Sequence, residues 1–344
     1  MIKFLSTVLA GSFFILSACG KENPAGSEAE PSPAASDDEN QPLTLATNIF
    51  AIEDFIEHIG GEQVEVNNIV PPGTDAHTYE PTIKEITDMV ETDRFLYTTG
   101  SMEGLNDTIL PLLINEDVTT VDVAEDIEKV EYQHHEWETE NTHSHSHTHG
   151  NETHTHEHSH EEEDTSEAHI HGPENPHVWI DPIKAIEIAH NIKDVLIEVD
   201  PDHSPVFKEN TEQLEKKLRE LDMEFKEAAK ETDKHSVFVA HPGYTYWAER
   251  YDFDEISITE TVSSNEPSQK RMQTLIEKAE KENIQYVAFE KSFAIGTAKN
   301  FAEEIGAQAV YFNNLESLHE ESQDASYFSL MRENIDSLEK LLNE

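Results

Sequence analysis

Leu43 to Val70 reads LTLATNIFAIEDFIEHIGGEQVEVNNIV. Leu43–Thr47 is a short, mostly apolar run of strand length, and Ala51–Ile59 spaces its apolar residues as a helix does. Val64–Val70 is a second strand-like run. A helix between two such strands is a crossover, and it brings the second strand back parallel to the first. The alternation continues through Ile83–Glu91 (helix), Phe95–Thr99 (strand), Leu105–Ile114 (helix) and Thr120–Val123 (strand). It recurs later as Val237–Ala240, Tyr244–Tyr251, Glu255–Ile258, Gln269–Glu282, Tyr286–Phe289, Ala298–Ile305 and Ala309–Phe312, closed by an amphipathic helix over Tyr327–Leu342. The pattern predicts an α/β protein of two lobes, each a mostly parallel sheet flanked by helices.

Two helical stretches separate the halves. Pro182–Val199 is apolar on one face, and Pro205–Glu231 is charge-laced with Leu214, Leu218, Leu221 and Phe225 at helical spacing. The second would be about 38 Å long at 1.5 Å per residue. Its length and polarity predict a brace between lobes. The expected organisation is an N-terminal lobe over 42–203, a linking helix over 204–231 and a C-terminal lobe over 232–344.

The chain has 344 residues, with 72 acidic side chains against 23 basic ones, and a formal net charge of −49. Such a balance excludes nucleic acid as a partner and favours cations. A single cysteine excludes an intramolecular disulfide and Cys-rich zinc modules. That cysteine, Cys19, follows Lys3 and an apolar run from Phe4 to Ala18, which has the length of a signal-peptide core. Leu16-Ser17-Ala18-Cys19 resembles the lipobox of bacterial lipoproteins. The resemblance implies a signal peptide over 1–18, acylation (palmitate among the chains) of Cys19, and a lipid anchor on the extracytoplasmic face of the cell membrane. Residues 19–41, rich in Ser, Pro, Ala and acids, are then a disordered tether.

Residues 131–174 interrupt the first half with 12 of the 20 histidines, 12 acids and no Lys or Arg. His143, His145, His147, His149, His154, His156, His158 and His160 alternate with small polar or acidic residues. The composition has no apolar pattern and reads as a disordered, auxiliary metal-binding tract. His156-Glu157-His158-Ser159-His160 formally matches HExxH, yet that chemistry needs an amphipathic helix that this segment does not encode.

Outside the tract, three histidines stand in loops rich in Pro, Gly and Asn. They are His77 in Pro71–Pro81, His177 in Asn175–Pro182, and His241 directly after the strand Val237–Ala240. Ligands of open α/β sheets bind beyond the carboxyl ends of strands. His58 and His190 fall inside helical patterns, and His203 and His235 lie in linkers; these four read as structural.

The three loops resemble the zinc-binding branch of the solute-binding receptors that serve bacterial ABC-type metal importers. "PxGxDPHxYEP" is matched with Ala76 where Pro is usual, and "NPHxWLDP" is matched with Ile180 for Leu. "HxAFxYFxxRYG" is matched loosely by His241, Tyr244, Trp247, Arg250 and Tyr251, with Pro242 and Gly243 in place of the usual small residues. A late acidic loop, "xPLES", maps to Asn314-Leu315-Glu316-Ser317. The resemblance implies a Zn²⁺ site in the cleft, made of His77, His177, His241 and Glu316, with Zn²⁺ passed to a cognate ABC permease by a monomeric receptor that is not an enzyme. Glu80 and Asp181, three and four positions after His77 and His177, are placed either to accept the second ring N–H of those histidines and orient them, or to cap helices or pair with Arg. Three imidazoles and one carboxylate suit tetrahedral zinc, whereas manganese prefers more oxygen. The rival readings are a receptor for manganese or another divalent ion, a surface adhesin, and a zinc hydrolase.

Overall fold

The computed structural model describes residues 41–74, 76, 79–98, 103–133, 174–230, 232, 234–259, 267–290 and 296–344. The signal peptide, Cys19 and nearly all of the tether lie outside these residues, as do His77 and the histidine tract from 134 to 173.

The first half runs β1 (Leu43–Thr47), α1 (Phe50–Gly60), β2 (Val64–Asn68), α2 (Ile83–Val90), β3 (Arg94–Tyr97), α3 (Glu103–Asn115) and β4 (Thr119–Asp122). Its four strands pair in the order β2-β1-β3-β4, all parallel. Leu43 pairs with Val64 and Thr47 with Asn68, so the opening stretch is one crossover unit in register. Helix α2 starts at a capping box in which Thr82 and Glu85 satisfy each other's backbone N–H.

After α4 (Pro182–Val199) and α5 (Ser204–Ala228), the second half repeats the plan. It contains β5 (Ser236–Val239), α6 (Thr245–Tyr251), β6 (Asp254–Ser257), α7 (Gln269–Lys281), β7 (Tyr286–Glu290), α8 (Gly296–Ile305), β8 (Gln308–Phe312) and α9 (Tyr327–Asn343). The order is β6-β5-β7-β8, again wholly parallel. Each sheet therefore reverses direction once, between β1 and β3 and between β5 and β7. The reversal leaves a crevice at those strand ends.

Helix α5 buries Phe207, Leu214, Leu218, Leu221 and Phe225 in one stripe, as its sequence spacing predicts. It packs on α1 and α4 on one side and on α9 on the other. The brace is not α5 alone. Helix α9 lies against β5, β7 and β8, and its first residue, Tyr327, donates its N–H to Asp54 Oδ2 (3.1 Å) and its hydroxyl to the Trp179 carbonyl (2.8 Å). One hydrophobic cluster consequently runs from Leu45 and Phe55 through Trp179 and Phe225 to Trp247, Phe312 and Leu341. A separate, smaller cluster around Phe238, Ile256 and Phe301 covers the other face of the second sheet. Among the described residues, no helix is long and apolar enough to cross a membrane.

The histidine tract leaves and returns at one point, because Glu131 and Glu174 form an isolated antiparallel bridge. Asn175, next in the chain, donates its N–H to Val130 (2.8 Å). Gln133 on the outgoing side accepts the Glu255 N–H of β6 (2.7 Å).

Candidate metal centre

His241 stands two residues past β5, where the second sheet reverses direction, and Glu290 ends β7 beside it. The loop after β8 brings Asn314 and Glu316 to the same place. His177 arrives from the first half, just ahead of a short 3₁₀ turn over Val178–Ile180 and of α4. His177, His241 and Glu316 are all buried.

His177 Nε2 lies 2.9 Å from Glu316 Oε1. Asn175 fixes the ring on its other side. Asn175 Oδ1 accepts the His177 backbone N–H (3.0 Å) and also meets Nδ1 at 2.7 Å. An oxygen already accepting one N–H can only accept from Nδ1, so Nδ1 carries a hydrogen. Nε2 then turns a lone pair toward the carboxylate oxygen. Two such atoms at this distance, with almost no water around them, are held together by a shared proton or a shared metal ion. The His241 ring lies edge-on to His177, with centroids 5.5 Å apart and planes at 83°. A Cβ at Gly243 would stand 3.3 Å from His241 Cδ2, a tight approach, so the glycine makes room for the His241 ring.

Glu255 holds the turn that carries His241. Its carboxylate accepts from the Gly243 N–H (3.0 Å), the Tyr244 N–H (2.8 Å) and the Thr245 hydroxyl. Burial pushes this acid up to about 7 although those three donors pull it down. Glu290 accepts from the Tyr244 hydroxyl (2.9 Å) and from Asn314 Nδ2 (3.3 Å). Burial, and then the neighbouring Glu290, raise the Tyr244 phenol well above its ordinary value.

The 314–316 turn also docks onto the first half. Phe50 N–H donates to the Glu316 carbonyl (2.8 Å) and Ala51 N–H to the Leu315 carbonyl (3.0 Å), satisfying the start of α1. Gly73 N–H donates to Leu318 (2.6 Å) and Ser317 Oγ to Thr74 (2.8 Å). The segment leading to His77 is thus tied to the loop bearing Glu316. Buried Leu315 has φ +62°, a costly conformation for a bulky side chain, and it turns both neighbouring carbonyls toward α1.

Of the two readings of Asp181, the cap and the arginine pair hold. Asp181 does not orient His177: its Oδ1 caps α4 through the Ile183 and Lys184 N–H groups, and its Oδ2 pairs with Arg250 at 2.7 Å. Asn175 takes the orienting place. Glu80 is exposed. Asn175 and Asn314 are contributors that sequence reading passed over. Asn175 opened a motif whose histidine drew the attention, and Asn314 occupies a proline position in its motif. Three of the four histidines read as structural have acidic partners: His58 with Asp54, His190 with Glu215, and His203 with Asp200. Among the described residues, no three His, Cys, Asp or Glu side chains close a coordination sphere by themselves.

Residues 45–341 match the family described as "ZnuA: Zinc-uptake complex component A periplasmic". The chain belongs to the ZnuA family. The high-affinity zinc uptake system protein ZnuA of Bacillus subtilis is 27% identical over 337 residues, covering 97% of this chain and 96% of that one. The zinc-binding lipoprotein AdcA of Streptococcus pneumoniae (strain R6) is 27% identical over 310 residues, 88% of this chain and 56% of its own length. The chain spans about half the length of the streptococcal relatives it matches. The solved Zn(II)-bound ZnuA-like domain of Streptococcus pneumoniae AdcA has the same fold, with a TM-score of 0.66 at 24% identity, over 88% of this chain and 100% of that one. Membership of the ZnuA family thus agrees with two parallel four-stranded sheets flanked by helices.

Proposed function

We propose that this protein is an extracytoplasmic receptor that captures Zn²⁺ and delivers it to an ABC-type permease. The observation that carries the reading is the buried approach of His177 Nε2 to Glu316 Oε1, 2.9 Å apart, beside the His241 ring. In our reading His77 completes the ligand set, because Thr74 and Ser317 tie its loop to the one bearing Glu316. Three imidazoles with one carboxylate favour zinc over manganese. Ligands drawn from both lobes, 42–203 and 232–344, would let a small relative movement release the ion. The assignment as a receptor, not an enzyme, follows the description of the family as a component of a zinc-uptake complex.

The same proposal places the protein on the outer face of the cell membrane, cleaved after residue 18 and acylated at Cys19, as a monomer. The name of the pneumococcal relative, a lipoprotein, supports this placement. The tract 131–174 acts as a weak zinc collector beside the tight site, its histidines losing metal on protonation near pH 6. The test is calorimetry on protein lacking 131–174. His241→Ala should abolish stoichiometric zinc binding, and undiminished binding would refute the site.

A further inference from the structure

Glu316 has two carboxylate oxygens, and they do different things. Oε1 faces His177 Nε2 at 2.9 Å, whereas Oε2 accepts a hydrogen bond from Asn314 Nδ2 at 3.1 Å. The Asn314 amide cannot be turned around, because its Oδ1 accepts the Glu316 backbone N–H at 3.1 Å. The second hydrogen of Nδ2 goes to Glu290 Oε2 at 3.3 Å, and Glu290 Oε1 is occupied by the Tyr244 hydroxyl. From the other lobe, the Trp179 indole N–H donates to the Asn314 carbonyl at 2.8 Å. Every polar group of the Asn314 side chain is therefore spent on Glu316 or on a carboxylate itself held in place, and the residue is buried.

Resting on the zinc-site reading above, we propose that Asn314 is a positioning residue that sets metal selectivity. By donating to Oε2 it fixes the rotation of the Glu316 carboxylate so that Oε1 alone is turned toward His177 and the ion. A one-oxygen carboxylate beside three imidazoles completes a tetrahedral shell, which suits zinc. Manganese and calcium take more oxygen donors, and a carboxylate free to rotate would supply two. Asn314 thus acts on the ion through Glu316 and does not touch it.

The test uses the full chain and reads its tightest equivalent of metal. Asn314→Ala removes the amide; Asn314→Ser keeps an acceptor for the 314–316 turn but has no NH₂ to span both carboxylates. In both, zinc should bind about 10–100-fold more weakly, the usual cost of losing a group that orients a ligand. Manganese should lose less, so the zinc-to-manganese affinity ratio falls. The first equivalent of Co²⁺ should lose the intense visible bands of four-coordinate cobalt. Melting temperature reports folding, and if the alanine variant does not fold, the serine variant carries the test. Wild-type zinc affinity, metal ratio and cobalt spectrum in a folded variant would overturn the role of Asn314, provided His241→Ala has lost its tight equivalent. A His241→Ala protein that keeps that equivalent would overturn the site itself, and this proposal with it.

Discussion

β1 runs into Asn48 and β5 into His241, at corresponding places in two sheets of the same strand order. Past β1, the described hydrogen bonds link neutral groups: Asn48 Nδ2 to Asn106 (2.8 Å) and Asn106 Nδ2 to the Thr98 carbonyl (3.3 Å). Past β5 the groups are ionisable, with His241, Glu290 and Glu255 around one turn and Glu316 and His177 brought against it. The two crevices share a topology and differ, among the described residues, in residue type; in our reading the second one receives the cation. Amides can satisfy each other in the dark of a core. Buried carboxylates beside imidazoles need positive charge nearby.

The comparison can be broken at several levels. The largest effect should come from the core that joins the sheets. Trp247 is fully buried, packs against Phe225, Tyr244 and Phe312, and donates to the Ile180 carbonyl at 2.7 Å. Trp247→Ala should cost about 3–5 kcal/mol in urea unfolding. Because its contacts reach both halves, the loss should appear as one cooperative transition; two separated transitions would show that the halves unfold independently.

Asn106→Ala tests the neutral crevice. It strips a buried donor and a buried acceptor of their partner, a loss of about 1–3 kcal/mol. Zinc affinity should not change, in contrast to His241→Ala in the other crevice. A weaker zinc site in Asn106→Ala would mean that the two crevices are not functionally separate.

The smallest expected effect is a change in slope. His58 on α1 faces Asp54, Glu57, Lys217 of α5 and the Phe328 ring of α9. Its hydrogen bond to Asp54 raises its proton affinity above the ordinary 6.5. The stabilisation is complete below the unfolded value and is lost as pH rises through the higher folded value. His58→Gln should flatten stability against pH in that window. An unchanged slope in denaturation midpoints from pH 5 to 9 would remove the Asp54 pairing as its cause.

Much of the fold was legible because burial imposes periods on a sequence. Pro182–Val199 was read to the residue, since Asp181 and Pro182 mark its start and the apolar face repeats to its end. Helix α5 ends at Ala228 rather than Glu231, and β3 begins at Arg94 rather than Phe95, because chain ends fray and edge residues carry little apolar signal. The bridging part of α9 was not legible. Its sequence shows an apolar face but not which two surfaces that face will touch.

Sequence alone determined the two crossover sheets, the long helix α5, the histidine tract and the residue types able to hold an ion. Those follow from periodicity and side-chain chemistry, which are local. Tertiary structure decided what the residues do to one another. It spent Asp181 on a helix cap and Arg250, gave Asn175 the orientation of His177, and set Asn314 between two acids. A hydrogen bond depends on distance and direction between residues 135 or 139 positions apart, as in Trp179–Asn314 and His177–Glu316, and only the packed chain fixes those.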